Sequence, residues 1–125
     1  MCLADGGSKA QYVKEILKEY ADADKRIKVV FLDNNLGIAL NSNEAIKLAE
    51  GSYVAFLDHD DTLAPFALYE VVKAINENPG ADFIYSDEDK ITENGKKRFN
   101  PHFKPDFSPD LLRSYNYIYY FTFNL

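Results

Sequence analysis

Apolar and polar positions alternate along the chain in blocks that switch between a strand period and a helix period. Cys2-Leu3-Ala4 reads as the end of a short strand. Ser8 to Gln11 has the spacing of a capping box, and Val13, Ile16, Leu17 and Tyr20 then recur at i, i+3, i+4 and i+7, one face of a helix. Lys28 to Leu32 carries two valines and predicts a strand, followed by turn chemistry in Asp33-Asn34-Asn35-Leu36-Gly37. Ser42, Ala45, Ile46 and Ala49 repeat the helical spacing, with Gly51 placed to end that helix. Tyr53 to Leu57 is apolar throughout, the pattern of a strand buried on both faces of a parallel sheet. Pro65 suits the first turn of a third helix. Leu68, Val71, Val72 and Ile75 form its stripe, and Asn78-Pro79-Gly80 stops it. Asp82 to Ser86 predicts another strand and Thr92-Glu93-Asn94-Gly95 a hairpin turn. Ser108-Pro109-Asp110 opens a short helix to Arg113, and Ile118 to Phe123 is an aromatic strand.

The first ~85 residues thus run β-α-β-α-β-α-β, an order that predicts a mostly parallel sheet covered by helices. The expected fold class is α/β, a three-layer α/β/α arrangement around a mostly parallel Rossmann-like sheet, in a single domain over residues 1–125. The chain opens inside one strand and closes soon after another, so both ends read as cuts in a longer domain.

Composition sharpens this picture. Of 125 residues, 46% are hydrophobic and 27% charged, a globular balance. The formal net charge of −6 argues against nucleic acid or an anionic membrane as the main partner. It leaves room for a small phosphate ligand held through a cation. One cysteine makes neither an intramolecular disulfide nor a zinc cluster and fits a reducing, cytoplasmic setting. No apolar run approaches the ~20 residues of a membrane span, and Asp5, Gly6 and Gly7 follow the start too soon for a signal peptide.

In an open α/β sheet the ligand crevice lies beyond the carboxyl ends of the strands. Asp5 stands at one such end, and Asp58, Asp60 and Asp61 at another. Three carboxylates within four residues repel one another unless a cation sits among them. Hard oxygen donors select Mn²⁺ or Mg²⁺, which bind through one or two carboxylates plus the oxygens of a diphosphate. The alternative is a solvated acidic loop.

The stretch Asn34-Asn35-Leu36-Gly37, Asn41, Asn43-Glu44-Ala45 and Ala49 through Asp58-His59-Asp60-Asp61 resembles the central signature of the family 2 glycosyltransferases. Ala4-Asp5-Gly6-Gly7-Ser8 resembles the family's D-D-G-S turn, with Gly6 in place of the second aspartate. Tyr85 to Lys90 and Lys104 to Leu112 resemble later segments of polysaccharide-assembling members. The resemblance implies the GT-A fold and inverting transfer of a sugar from a nucleotide diphosphate, usually UDP, to a saccharide acceptor. It implies that Asp5 contacts the nucleoside, that Asp58 lies near ribose and diphosphate, and that Asp60 or Asp61 holds the metal. It also implies a first strand before Met1 and a catalytic base beyond Leu125, so that this chain alone is expected to be inactive. In the whole protein, attachment at the inner face of a membrane is compatible with the resemblance.

Asp87, Glu88 and Asp89 end the strand Asp82 to Ser86, where they could orient the acceptor sugar. The plain alternative is a solvated turn paired with Lys90. His59 is expected to point away from the metal, and His102 to pack among Phe99, Phe103 and Phe107. The cluster Tyr115, Tyr117, Tyr119, Tyr120, Phe121 and Phe123 reads as a core strand whose exposed edge could drive self-association.

Two other functions remain open at this point. Asp58-His59-Asp60-Asp61-Thr62 also satisfies D-x-D-x-T, the nucleophile motif of haloacid-dehalogenase-type phosphotransferases, with Lys90, Asp87 and Asp89 as loose counterparts of its other groups. A non-catalytic module that binds a sugar nucleotide is the other.

Overall fold

A computed structural model describes residues 1–119 and 121–124, with backbone only at Phe121. The chain divides into two compact units, Met1–Gly51 and Ser52–Leu125. The mixture of helices and strands is the α/β class the periodicity predicts.

In the first unit, strand β1 (Cys2–Asp5) pairs in parallel with β2 (Lys28–Phe31), joined by helix α1 (Gln11–Ala23). This is one β-α-β crossover, and Ala4 opposite Val30 fixes its register. The predicted capping box does not form. The N-cap is Ala10, without a side-chain cap, because the Ser8 N–H instead donates to Asp5 Oδ1 at 3.1 Å. Val13 and Leu17 are half-buried, whereas Ile16 and Tyr20 at the flanks of the stripe are exposed. Helix α2 (Ile38–Ile46) starts directly after Gly37, whose φ of 86° is a conformation glycine alone adopts cheaply. The helix ends well before Gly51, since Leu48 and Ala49 bond back three residues, to Ala45 and Ile46, and tighten the last turn.

In the second unit, β3 (Tyr53–Ala55) and β4 (Phe83–Tyr85) both pair antiparallel with β7 (Phe121–Asn124), which lies between them. Helix α3 (Ala67–Glu77) connects β3 to β4, and β5 (Glu88–Ile91) with β6 (Arg98–His102) forms a separate hairpin. The hairpin closes where expected, with Gly95 at φ 69° and the Thr92 N–H bonded to the Lys97 carbonyl. Helix α4 (Pro109–Ser114) is capped by Ser108, whose hydroxyl accepts from the Leu111 N–H at 3.4 Å.

The expectation of one mostly parallel sheet is therefore corrected. Among the described residues there are three small sheets, and only β1–β2 is a parallel pair. The aromatic C-terminal segment enters between β3 and β4 and takes the hydrogen-bonding edges that a direct parallel pairing would use. Hydrophobic continuity in Tyr53 to Leu57 overstated the strand, which stops at Ala55 and is not buried on both faces. Both edges of β7 are paired within the chain, one to β3 and one to β4. Tyr120 of the predicted aromatic cluster lies outside the described residues.

The second unit is organised around Tyr117 and Ile118, which are buried. Tyr117 meets the Tyr85 ring edge-on at 6.1 Å, and its hydroxyl accepts from the Ser108 N–H at 2.9 Å. Phe56 stacks on Phe123 at 5.8 Å, and the hydroxyls of Tyr53 and Tyr85 donate to the carbonyls of Ala81 and Pro105. Each tyrosine thus combines apolar burial with a satisfied polar tip.

Candidate functional site

The turn that follows β1 is the most closely built part of the first unit. Asp5 is 6% exposed, and its main-chain carbonyl accepts from the Leu32 N–H at 2.9 Å, which ties the end of β1 to that of β2. Its Oδ1 accepts from the Ser8 N–H, while Oδ2 is buried with no hydrogen-bond partner among the described residues. A buried carboxylate oxygen without a donor costs stability.

The loop after β2 lies against this turn. A Cβ built on Gly7, at φ 78°, would stand 3.1 Å from both the Asp33 carbonyl oxygen and Asn34 Cα, so backbone meets backbone there. Two amides fix the loop. Asn35 Oδ1 accepts from the Gly37 N–H at 2.8 Å and from Asn41 Nδ2 at 2.9 Å, and Asn41 Oδ1 accepts from the Leu36 N–H at 3.1 Å. The sequence places Asn35 and Asn41 in a recognisable signature but gives neither a role. The signal was polar side chains flanking a Gly-containing turn just before a helix.

The acidic motif lies in the second unit, past the end of β3. Asp58, His59, Asp60 and Asp61 are all exposed, in a tight turn closed by the Asp61 N–H to the Asp58 carbonyl at 3.2 Å. His59 is nearly fully exposed, with Nδ1 3.9 Å from Asp60 Oδ1. Because β3 and β4 both run opposite to β7, their carboxyl ends share one end of the sheet. Asp58 to Asp61 and Asp87 to Asp89 therefore leave from the same sheet end.

Among the described residues no three His, Cys, Asp or Glu side chains converge as a metal cage. The donor chemistry of Asp60 and Asp61 fits a hard divalent cation that takes one or two carboxylates here and its remaining oxygens from a diphosphate. It does not fit a cation held by protein alone.

Asp87 and Glu88 serve the hairpin. Asp87 Oδ1 accepts from the Lys104 N–H at 2.8 Å. Glu88 Oε2 accepts from Lys104 Nζ at 2.7 Å, and Oε1 lies 3.1 Å from His102 Nδ1. The Lys104 side chain is 1% exposed, so this is a desolvated ion pair. Its ammonium lies 5.9 Å from the Tyr119 ring centre, and the His102 ring packs against Tyr119 as well. The expected pairing with Lys90 is replaced by Lys104, His102 and, for Asp89, Arg98, which donates to both carboxylate oxygens at 2.6 and 2.8 Å. That fork holds the Asp89 carboxyl below its ordinary value. His102 thus meets Tyr119 and Glu88, two partners the sequence did not foresee, in place of the expected packing among Phe99, Phe103 and Phe107. Lys90 is exposed and Asp87 and Asp89 are engaged elsewhere, which removes the counterparts a phosphotransferase reading needs.

Comparison with known proteins agrees with the motif. The chain is 49% identical over 118 residues to the uncharacterized protein y4gI of Sinorhizobium fredii, covering 94% of this chain and 13% of that protein. It is 40% identical over 119 residues to the O-antigen biosynthesis protein RfbC of Myxococcus xanthus, covering 95% of this chain and 9% of that protein. It is 29% identical over 112 residues to the chondroitin synthase of Pasteurella multocida, covering 90% of this chain and 11% of that protein. The chain thus spans only a small part of the length of these relatives. The sequence model described as Glycosyl transferase family 2 matches residues 1–124, and the chain belongs to that family.

Proposed function

We propose that this chain is the donor-binding part of a glycosyltransferase that moves a sugar from a nucleotide diphosphate, UDP in the first instance, to a saccharide acceptor with inversion. The products would be cell-surface or envelope polysaccharides, in keeping with O-antigen and chondroitin named for two relatives. The observation that carries the reading is the pairing of family membership with an Asp5 carboxylate that is buried, anchored on one oxygen and orphaned on the other.

In this reading the Asp5 Oδ2 accepts a hydrogen bond from the nucleoside. Asp58 lies beside the ribose and diphosphate. Asp60 and Asp61 would hold Mn²⁺ or Mg²⁺, which when bound supplies positive charge against the leaving diphosphate. All three aspartates are exposed to solvent, the side from which a donor would arrive. Asp87 and Glu88, fixed by Lys104 and His102, would shape the acceptor side rather than take a proton. We place the base that deprotonates the acceptor hydroxyl outside these residues, and we expect this chain alone to show no transfer. A cytoplasmic setting, at the inner face of a membrane in the whole protein, follows from the donor class.

Calorimetric titration with UDP, with and without Mn²⁺, tests the reading. Binding should require Mn²⁺ and weaken at least ~tenfold, about 1.4 kcal/mol, in Asp60→Asn. Binding indifferent to both metal and substitution, or no binding in either condition, would sink it.

A further inference from the structure

Gly6 occupies the position where the family turn carries a second aspartate. A Cβ built on Gly6 would stand 2.8 Å from Asn41 Nδ2, closer than real Cβ contacts come, and 3.6 Å from the Asn35 carboxamide. The space beside residue 6 is therefore already filled, by a neutral amide instead of a carboxylate. That amide is committed, because Nδ2 donates to Asn35 Oδ1 and Oδ1 accepts from the Leu36 N–H. A side chain at position 6 could enter only if Asn41 swung away, which would release both bonds and, through Asn35, loosen the hold on the Gly37 N–H.

We propose that Gly6 and Asn41 act as one unit, in which Asn41 is a positioning residue that uses the space vacated at position 6 to lock the Asn34–Gly37 turn against the Asp5–Ser8 turn. The bare glycine and the neutral amide also put no carboxylate at position 6 beside the buried Asp5, whose Oδ2 has no partner among the described residues and is left for the nucleotide donor. This second consequence rests on the donor-binding reading above, while the lock itself does not.

The test is a double-mutant cycle on Gly6→Ala and Asn41→Ala. Hydrogen exchange at the Leu36 and Gly37 amides reads the lock without any ligand, and Mn²⁺-dependent UDP titration reads donor positioning. Each single variant should speed exchange at these two amides about tenfold or more, while amides within β1 and β2 keep their protection. In the Asn41→Ala background, Gly6→Ala should add nothing, because the atom it displaces is gone. UDP affinity should follow the same non-additive pattern. Equal effects of Gly6→Ala in both backgrounds, or unchanged exchange at Leu36 and Gly37 in Gly6→Ala, would overturn the lock. Coupled exchange with unmoved UDP affinity would overturn the donor-positioning role alone. Coupled exchange in a chain that binds no UDP would uphold the lock and count against the donor reading instead.

Discussion

The two acidic turns of this chain are built in opposite ways. Asp5 is buried, anchored by Ser8, and enclosed by a loop that two asparagines hold in place. Asp58 to Asp61 stand in solvent in a turn closed by one main-chain bond. The first turn has its shape before any ligand arrives. The second is an exposed turn that carries three carboxylates within four residues. In the proposed reading the first turn is preorganised for its ligand, whereas the second depends on metal and substrate together.

The strongest way to break the comparison is to remove the core behind the open turn. Tyr117→Ala should cost about 3–5 kcal/mol, unfold the second unit in mild urea and abolish Mn²⁺-dependent binding. Protection of β1 and β2 amides should survive if the first unit keeps its own stability. Next in size, Glu88→Gln strips the anion from the buried Lys104 ammonium. A loss on the order of 3 kcal/mol is expected in denaturant titration, and an unchanged midpoint would show that the pair contributes nothing.

A subtler variant sharpens the contrast. Asp5→Asn keeps the shape but removes a buried charge. It should raise thermal stability by roughly 1 kcal/mol while weakening UDP binding, the trade expected at a strained functional position. Asp60→Asn, in the exposed turn, should leave stability within about 0.5 kcal/mol. If both variants changed stability alike, the distinction between built and open turns would fail.

The smallest effect is in acid. Arg26 holds the partly exposed Asp24 carboxyl down at about 2, and Arg98 lowers Asp89. A depressed carboxyl stabilises the fold above its unfolded value, roughly 4, and that contribution fades as pH falls through the folded value. The thermal midpoint should therefore slide between pH 4 and 2, and the slide should flatten in Asp24→Asn.

Much of this was legible in the chain. Turn glycines, the Asn78-Pro79-Gly80 stop, the Thr92 hairpin and the Ser108 cap are local chemistry, and the structure keeps them. Strand pairing was not legible, because the period of Tyr53 to Leu57 says which residues are apolar but not which neighbour they meet. The role of Glu88 was hidden for the same reason. Its partners His102 and Lys104 lie across a hairpin, and only the fold brings them to it. Gly6 was visible as a departure from a pattern, but its reason stood on Asn41, in the next helix.

The insertion of β7 between β3 and β4 has a consequence for how the molecule is made. β1 and β2 can zip together around their own helix once Phe31 has been synthesised. Ala55 must wait for Thr122, and Ile84 waits for the same residue. During translation the second unit carries two strands with unpaired edges for most of its length, and that high contact order makes its closure the slow, aggregation-exposed step. The Asp5 turn is thus ready early on the ribosome, and the sheet that presents the acidic motif forms last.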